Sequence, residues 1–169
     1  MTLKDVTISG GETNSWNDGG GALLNKNRLT IVDSTLSGNT ANSGGAIFGA
    51  EGSDTTIENS TLVDNFARYW DYGNGGAVYS QGTLTINNSL ISSNRAWVGG
   101  GIRSRSELNI SNSTITNNLV EGEYGGATAV FPFVETPPSR KPQSVGIRPK
   151  VARTMAVMVA EYSLAGMAL

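Results

Sequence analysis

The side chains best placed to do chemistry in this 169-residue chain are a scatter of acids, two arginines and a set of aromatics. General acid–base work needs two titratable groups held close together, so Asp18, Glu58, Asp64, Asp71, Arg103 and Arg105 are weighed first. Histidine is absent, which removes the commonest general base and the commonest zinc and copper ligand. Cysteine is absent too, which excludes disulfides and thiolate metal sites. The aromatics Trp16, Tyr69, Trp70, Tyr72, Trp97 and Tyr124 carry a different chemistry. They can stack on sugar rings or anchor a protein partner, or they can fold over their own loops and cover an edge.

Where these residues sit depends on a sentence that the chain repeats five times before residue 128: aliphatic, Asx, Ser-Thr-aliphatic, Asn, then Gly-Gly-Ala-aliphatic. Leu3, Ile31, Ile57, Ile86 and Ile110 mark successive copies, 28, 26, 29 and 24 residues apart. A period in the twenties decides the architecture before any local propensity does. The segments are short and rich in Thr, Ile, Leu, Val and Ser, with Gly and Asn between them, and they lack the fixed leucines of a leucine-rich repeat. The expected fold is therefore all-β: a right-handed parallel β-helix, a single-stranded solenoid of about five coils over residues 1–127, followed by a non-repeat C-terminal tail. Ile31, Leu36 and Ile47, with Ile57, Leu62 and Val78 in the next coil, are expected to point inward. Arg103 shares a column with Leu24, Phe48 and Tyr79, so that column is expected to face solvent.

Two Asx columns are expected to stack as hydrogen-bonded ladders: Asp33, Asn59, Asn88 and Asn112 in one, and Asn39, Asn65, Asn94 and Asn118 in the other. The glycine pairs are expected at a corner that has no room for a Cβ. The N-x-S/T matches at Asn59, Asn87, Asn109 and Asn112 fall out of the ladder pattern and do not by themselves argue for glycosylation.

The pairing of Gly-Gly-Ala-aliphatic with an x-x-x-Asn tetrapeptide resembles the chlamydial polymorphic outer membrane protein repeat, GGA followed by Ile, Leu or Val, and FxxN. The first element is clean in the repeats that begin at Gly20, Gly44 and Gly75. It becomes GGGI at Gly99 and GGAT at Gly125. In the second element Leu36, Leu62, Ile91 and Ile115 stand where the family has Phe. The resemblance implies a structural or adhesive segment of a secreted or outer-membrane bacterial surface protein, located outside the cell or on its surface. Its partner would be a glycan or a host or cell-surface protein, bound on a face or on the loop edge.

The fold also resembles that of polysaccharide lyases and hydrolases built on pectate-lyase-like β-helices, which use paired carboxylates or calcium-binding Asp clusters beside a Lys or Arg base. A fragment of such an enzyme is the alternative. Against it, the column Lys4, Val32, Glu58, Asn87, Ser111 and the column Gly10, Gly38, Asp64, Ser93, Asn117 each hold a single carboxylate. Asp18 and Asp71 lie two coils apart, about 10 Å by strand spacing. No catalytic residue, metal ligand or cofactor is assigned, and Arg103 and Arg105 read as solvated surface. The corner between the ladder Asn and the Gly-Gly pair varies in length (12–18, 40–43, 66–74, 95–98 and 119–124), and it holds all the candidate aromatics.

A net charge of −2 gives no electrostatic footprint for nucleic acid, and no stretch is expected to insert into a membrane. Neither terminus supplies a polar capping unit, so the chain is expected to be a piece of a longer array. After Ala127 the composition changes: all five prolines and three of the four methionines follow, and no Asn does. Residues 128–150 read as a basic Pro-rich linker and 151–169 as a possible helix. A shifted reading frame is a second reading of this tail. A two-base shift turns Met155, Met158 and Met167 into glycines, and degeneracy allows another Gly-Gly repeat around them.

Overall fold

A computed structural model describes residues 1–14, 19–68 and 73–122. The first coil contains β1 (Thr2–Lys4), β2 (Thr7–Ser9) and β3 (Leu23–Asn25). The second has β4 (Arg28–Val32), β5 (Thr35–Ser37), β6 (Thr40–Ala41) and β7 (Ile47–Gly49). In the third are β8 (Asp54–Glu58), β9 (Thr61–Val63), β10 (Phe66–Ala67) and β11 (Val78–Ser80), and in the fourth β12 (Thr83–Asn87), β13 (Leu90–Ser92), β14 (Arg95–Ala96) and β15 (Ile102–Ser104). A fifth coil supplies β16 (Leu108–Ser111), β17 (Thr114–Thr116) and β18 (Leu119–Val120). Equivalent strands of successive coils pair in parallel. They make four sheets: β1-β4-β8-β12-β16, β2-β5-β9-β13-β17, β6-β10-β14-β18 and β3-β7-β11-β15. The chain is a parallel β-helix of about four complete turns.

The register puts like on like. Ile31 pairs with Ile57, Ile57 with Ile86, Leu36 with Leu62 and Ile47 with Val78. All of these side chains are fully buried. Strand side chains alternate between faces, so the Thr30, Thr56 and Thr85 column beside them points outward and is half-buried. Each buried aliphatic contributes about 1.5–3 kcal/mol relative to exposure. The four walls close on this column of Leu, Ile, Val and Ala, and no layer outside the coil is needed to build a core.

The corners divide the polar work differently from the sequence expectation. Asn39, Asn65, Asn94 and Asn118 point inward and are buried. Asn39 Nδ2 donates to Asn65 Oδ1 at 3.0 Å, Asn65 Nδ2 to Asn94 Oδ1 at 2.9 Å and Asn94 Nδ2 to Asn118 Oδ1 at 2.9 Å. Each oxygen also accepts the backbone N–H of the asparagine one coil earlier.

The other column, Asp33, Asn59, Asn88 and Asn112, makes no such ladder. Its members are exposed and hold left-handed backbone, φ 47–49°, a conformation that Asx tolerates better than other non-glycine residues. They serve as corners. The ladder at that position is built by the following serines, which sequence reasoning missed. The N–H groups of Ser34, Ser60 and Ser89 donate to Oγ of Ser60, Ser89 and Ser113, each at 3.1 Å. The Oγ atoms of Ser34 and Ser60 donate in turn to Val32 O and Glu58 O, both at 2.6 Å.

At the third corner, the Gly75-Gly76 pair shows why glycine is required. Gly75 has φ +62°, and a Cβ on Gly76 would lie 2.0 Å from Gly100 O and 2.5 Å from Arg95 N.

Candidate functional site

The outer face of sheet β3-β7-β11-β15 carries a cluster in which two aromatic and two charged side chains converge. Leu24, Phe48, Tyr79 and Arg103 are in register across it. The arginine in this column suggests solvent, and Leu24 is exposed, but Phe48 and Tyr79 are buried at 9% and 4% exposure. The expectation fails because the column covers itself. Phe48 meets Tyr79 edge to face, with ring centroids 5.2 Å apart. Arg103 and Arg105 then lie over Tyr79, with guanidinium carbons 5.9 and 5.7 Å from its centroid.

Local sequence explains the arrangement. Strand alternation sends Arg103 and Arg105 to the outer side and buries Ser104, whose Oγ donates to Ser106 O at 3.1 Å. The backbone N–H of Arg105 donates to Ser80 O at 2.8 Å, which continues the strand register. Gln81 Nε2 donates to Tyr79 Oη at 3.2 Å, and Arg103 Nη1 donates to Asn74 Oδ1. Burial pushes the Arg103 pKa below its ordinary value; Tyr79 opposes the shift and Arg105 adds to it. Arg103 is therefore half-buried against a ring rather than solvated surface.

Other candidates are dispersed. Trp97 is half-buried, with its indole edge against Gly122, where an added Cβ would lie 2.8 Å from Nε1. Trp16, Tyr69, Trp70, Tyr72 and Tyr124 lie outside the described residues, as do the loop acids Asp18 and Asp71 and the tail 128–169. Glu58 ends β8 on one sheet, and Asp64 occupies a corner at φ 55°. Arg95 stacks over Phe66 at 3.9 Å and pairs with Glu121 at 3.5 Å. An open depression of about 400 Å³ lies between Met1 and the Leu24–Leu29 turn; its charged side chains are Lys26 and Arg28, so it offers no acid–base pair. Among the described residues no group of three His, Cys, Asp or Glu could hold a metal ion, and no helix is long and apolar enough to cross a membrane.

A stack of parallel coils with an inward aliphatic column defines a β-helix solenoid. The family model for the right-handed β-helix region matches residues 1–131, and the chain belongs to that family, which also sets the hand of the coil. Comparison with curated proteins and with solved structures returns no match.

Proposed function

We propose that the chain is a binding segment of a secreted or outer-membrane bacterial surface protein, a rigid β-helical spacer that presents side chains to a glycan or a surface partner. The observation that carries this reading is the Tyr79–Arg103–Arg105 cluster. It is an outward, preorganised patch with hydrogen-bonding neighbours and no carboxylate beside it among the described residues. Such a patch can bind, but among the described residues it has no carboxylate to pair with, and its tyrosine is buried as the floor. The resemblance of the repeat to the chlamydial outer-membrane repeat supports the surface location, with Leu36, Leu62, Ile91 and Ile115 in place of the family's Phe.

A second reading, a fragment of a polysaccharide lyase or hydrolase, is supported by the β-helix fold alone, since enzymes of that kind are built on it. A glycan array run beside a lyase and hydrolase screen on the same preparation separates the two. Binding without turnover is expected; release of unsaturated or reducing ends from any polysaccharide would replace the adhesive reading with the enzymatic one.

A further inference from the structure

Five arginines fall among the described residues, and three of them have acidic partners. Arg28 pairs with Asp54 at 3.4 Å, Arg68 with Glu12 at 2.7 Å and Arg95 with Glu121 at 3.5 Å. Arg103 and Arg105 have no acidic partner among the described residues, although the two like charges are drawn to the same ring. Placing two guanidiniums together costs repulsion. The negative face of Tyr79 offsets part of that cost, since a guanidinium is attracted to the face of an aromatic ring. What remains is a pair of planar donor forks held above a buried floor, with one Arg103 N–H given to Asn74 and no carboxylate taking the others among the described residues.

The geometry points to an oxyanion-binding site formed by Arg103 and Arg105 on the outer face of sheet β3-β7-β11-β15, taking the carboxylate or sulfate group of an acidic saccharide. Each guanidinium can grip an oxyanion through two parallel N–H bonds, which an ammonium cannot do. Because Arg103 is half-buried, an anion there interacts through a lower effective dielectric than on open surface. Tyr79 is buried and serves as support, so the ligand does not stack on it.

The surroundings favour a saccharide over a protein. A protein partner needs a desolvated apolar anchor at the centre of its contact. Among the described residues the exposed large hydrophobics are Met1, Leu24, Leu90 and Leu119, and none of them adjoins the pair in its own coil or the one before it on this face. Asn74 and Gln81 border it instead and can meet sugar hydroxyls. This inference rests on the binding reading above and gives it a site and a ligand chemistry.

Binding of the full chain to four immobilised probes tests it: polygalacturonate, a heparin-type sulfated polymer, neutral dextran and poly-glutamate, at low and at physiological salt. The variants are R103Q/R105Q and R103K/R105K, each checked by melting temperature. An acidic saccharide is expected to bind, more weakly as salt rises, while dextran does not. R103Q/R105Q is expected to lose about tenfold or more in affinity, and R103K/R105K several-fold although its charge is kept. Unchanged binding by both variants overturns the site while leaving the binding reading intact. Arginine-dependent binding to poly-glutamate as strong as to the saccharides overturns the saccharide assignment. Failure of all four probes overturns the site and its ligand together; the adhesive reading is then judged by the neutral and protein ligands of the array.

Discussion

Asn65 Nδ2 and the Asn65 backbone N–H both donate to Asn94 Oδ1, each at 2.9 Å, so one buried oxygen ties a side chain and a main chain to the next coil. Asn65 repeats the arrangement toward Asn39 and also donates to Leu36 O at 3.0 Å. Four of these bonds vanish in Asn65→Ala: the buried Asn39 backbone N–H loses its partner, and Asn39 Nδ2 keeps only Ile8 O. A loss of about 3–5 kcal/mol is expected, well above the ordinary surface substitution. Urea unfolding followed by circular dichroism measures it; a loss under about 1 kcal/mol would mean that the ladder does not hold the coils.

Two serines separate a bonded hydroxyl from an orphaned one. Ser60 Oγ accepts the Ser34 N–H, whereas Ser53 Oγ is fully buried and has no hydrogen-bond partner. Ser60→Ala is expected to cost about 1–2 kcal/mol, and Ser53→Ala at most about 0.5 kcal/mol in either direction. Equal melting temperatures for the two variants would contradict the serine ladder.

Glycine is needed for different reasons along the corners. Gly76→Ala drives a Cβ into the Gly100 carbonyl and is expected to cost about 3 kcal/mol or more. Gly38 has φ +62° and nothing within 4 Å of the point where a Cβ would stand, and its column already holds Asp64, Ser93 and Asn117 in the same left-handed region. Gly38→Asn is therefore expected to change stability by about 0.5 kcal/mol or less. Parallel thermal melts of the two variants check the contrast.

Phe48 tests the aromatic column. An exposed phenylalanine could be truncated at almost no cost, but this one is buried against Tyr79. Phe48→Ala is expected to lose about 2–4 kcal/mol, in the range of core truncations. A melting temperature within a degree of the parent would restore the solvent-facing assignment.

The coil was legible because its determinants are periodic. Ile31, Ile57 and Ile86 recur at the same place in the sentence, and parallel pairing turns recurrence directly into stacking. Asn59 and Asn65 belong to equally regular columns, yet one is a corner and the other a rung. That difference lies in φ and side-chain direction, which residue type alone does not encode. The serine ladder escaped notice because a serine between two Thr- and Ser-rich strands looks like filler until its Oγ is seen against the preceding coil's N–H. Arg103 misled for a related reason: an arginine at a strand position implies water only when no ring lies beneath it. The variable corners were expected at 12–18 and 66–74, and their candidate aromatics Trp16, Tyr69, Trp70 and Tyr72 lie outside the described residues.

The ladders run along the solenoid axis, and each rung reaches only the adjacent coils, 26, 29 and 24 residues away at the serine rungs. A pull applied at the chain ends therefore meets one coil's rungs at a time. Each coil that peels away frees about 80–100 Å of extended chain, at about 3.3–3.6 Å per residue. Held in tension between two surfaces, such a segment would lengthen in coil-sized steps and dissipate load instead of snapping as a unit.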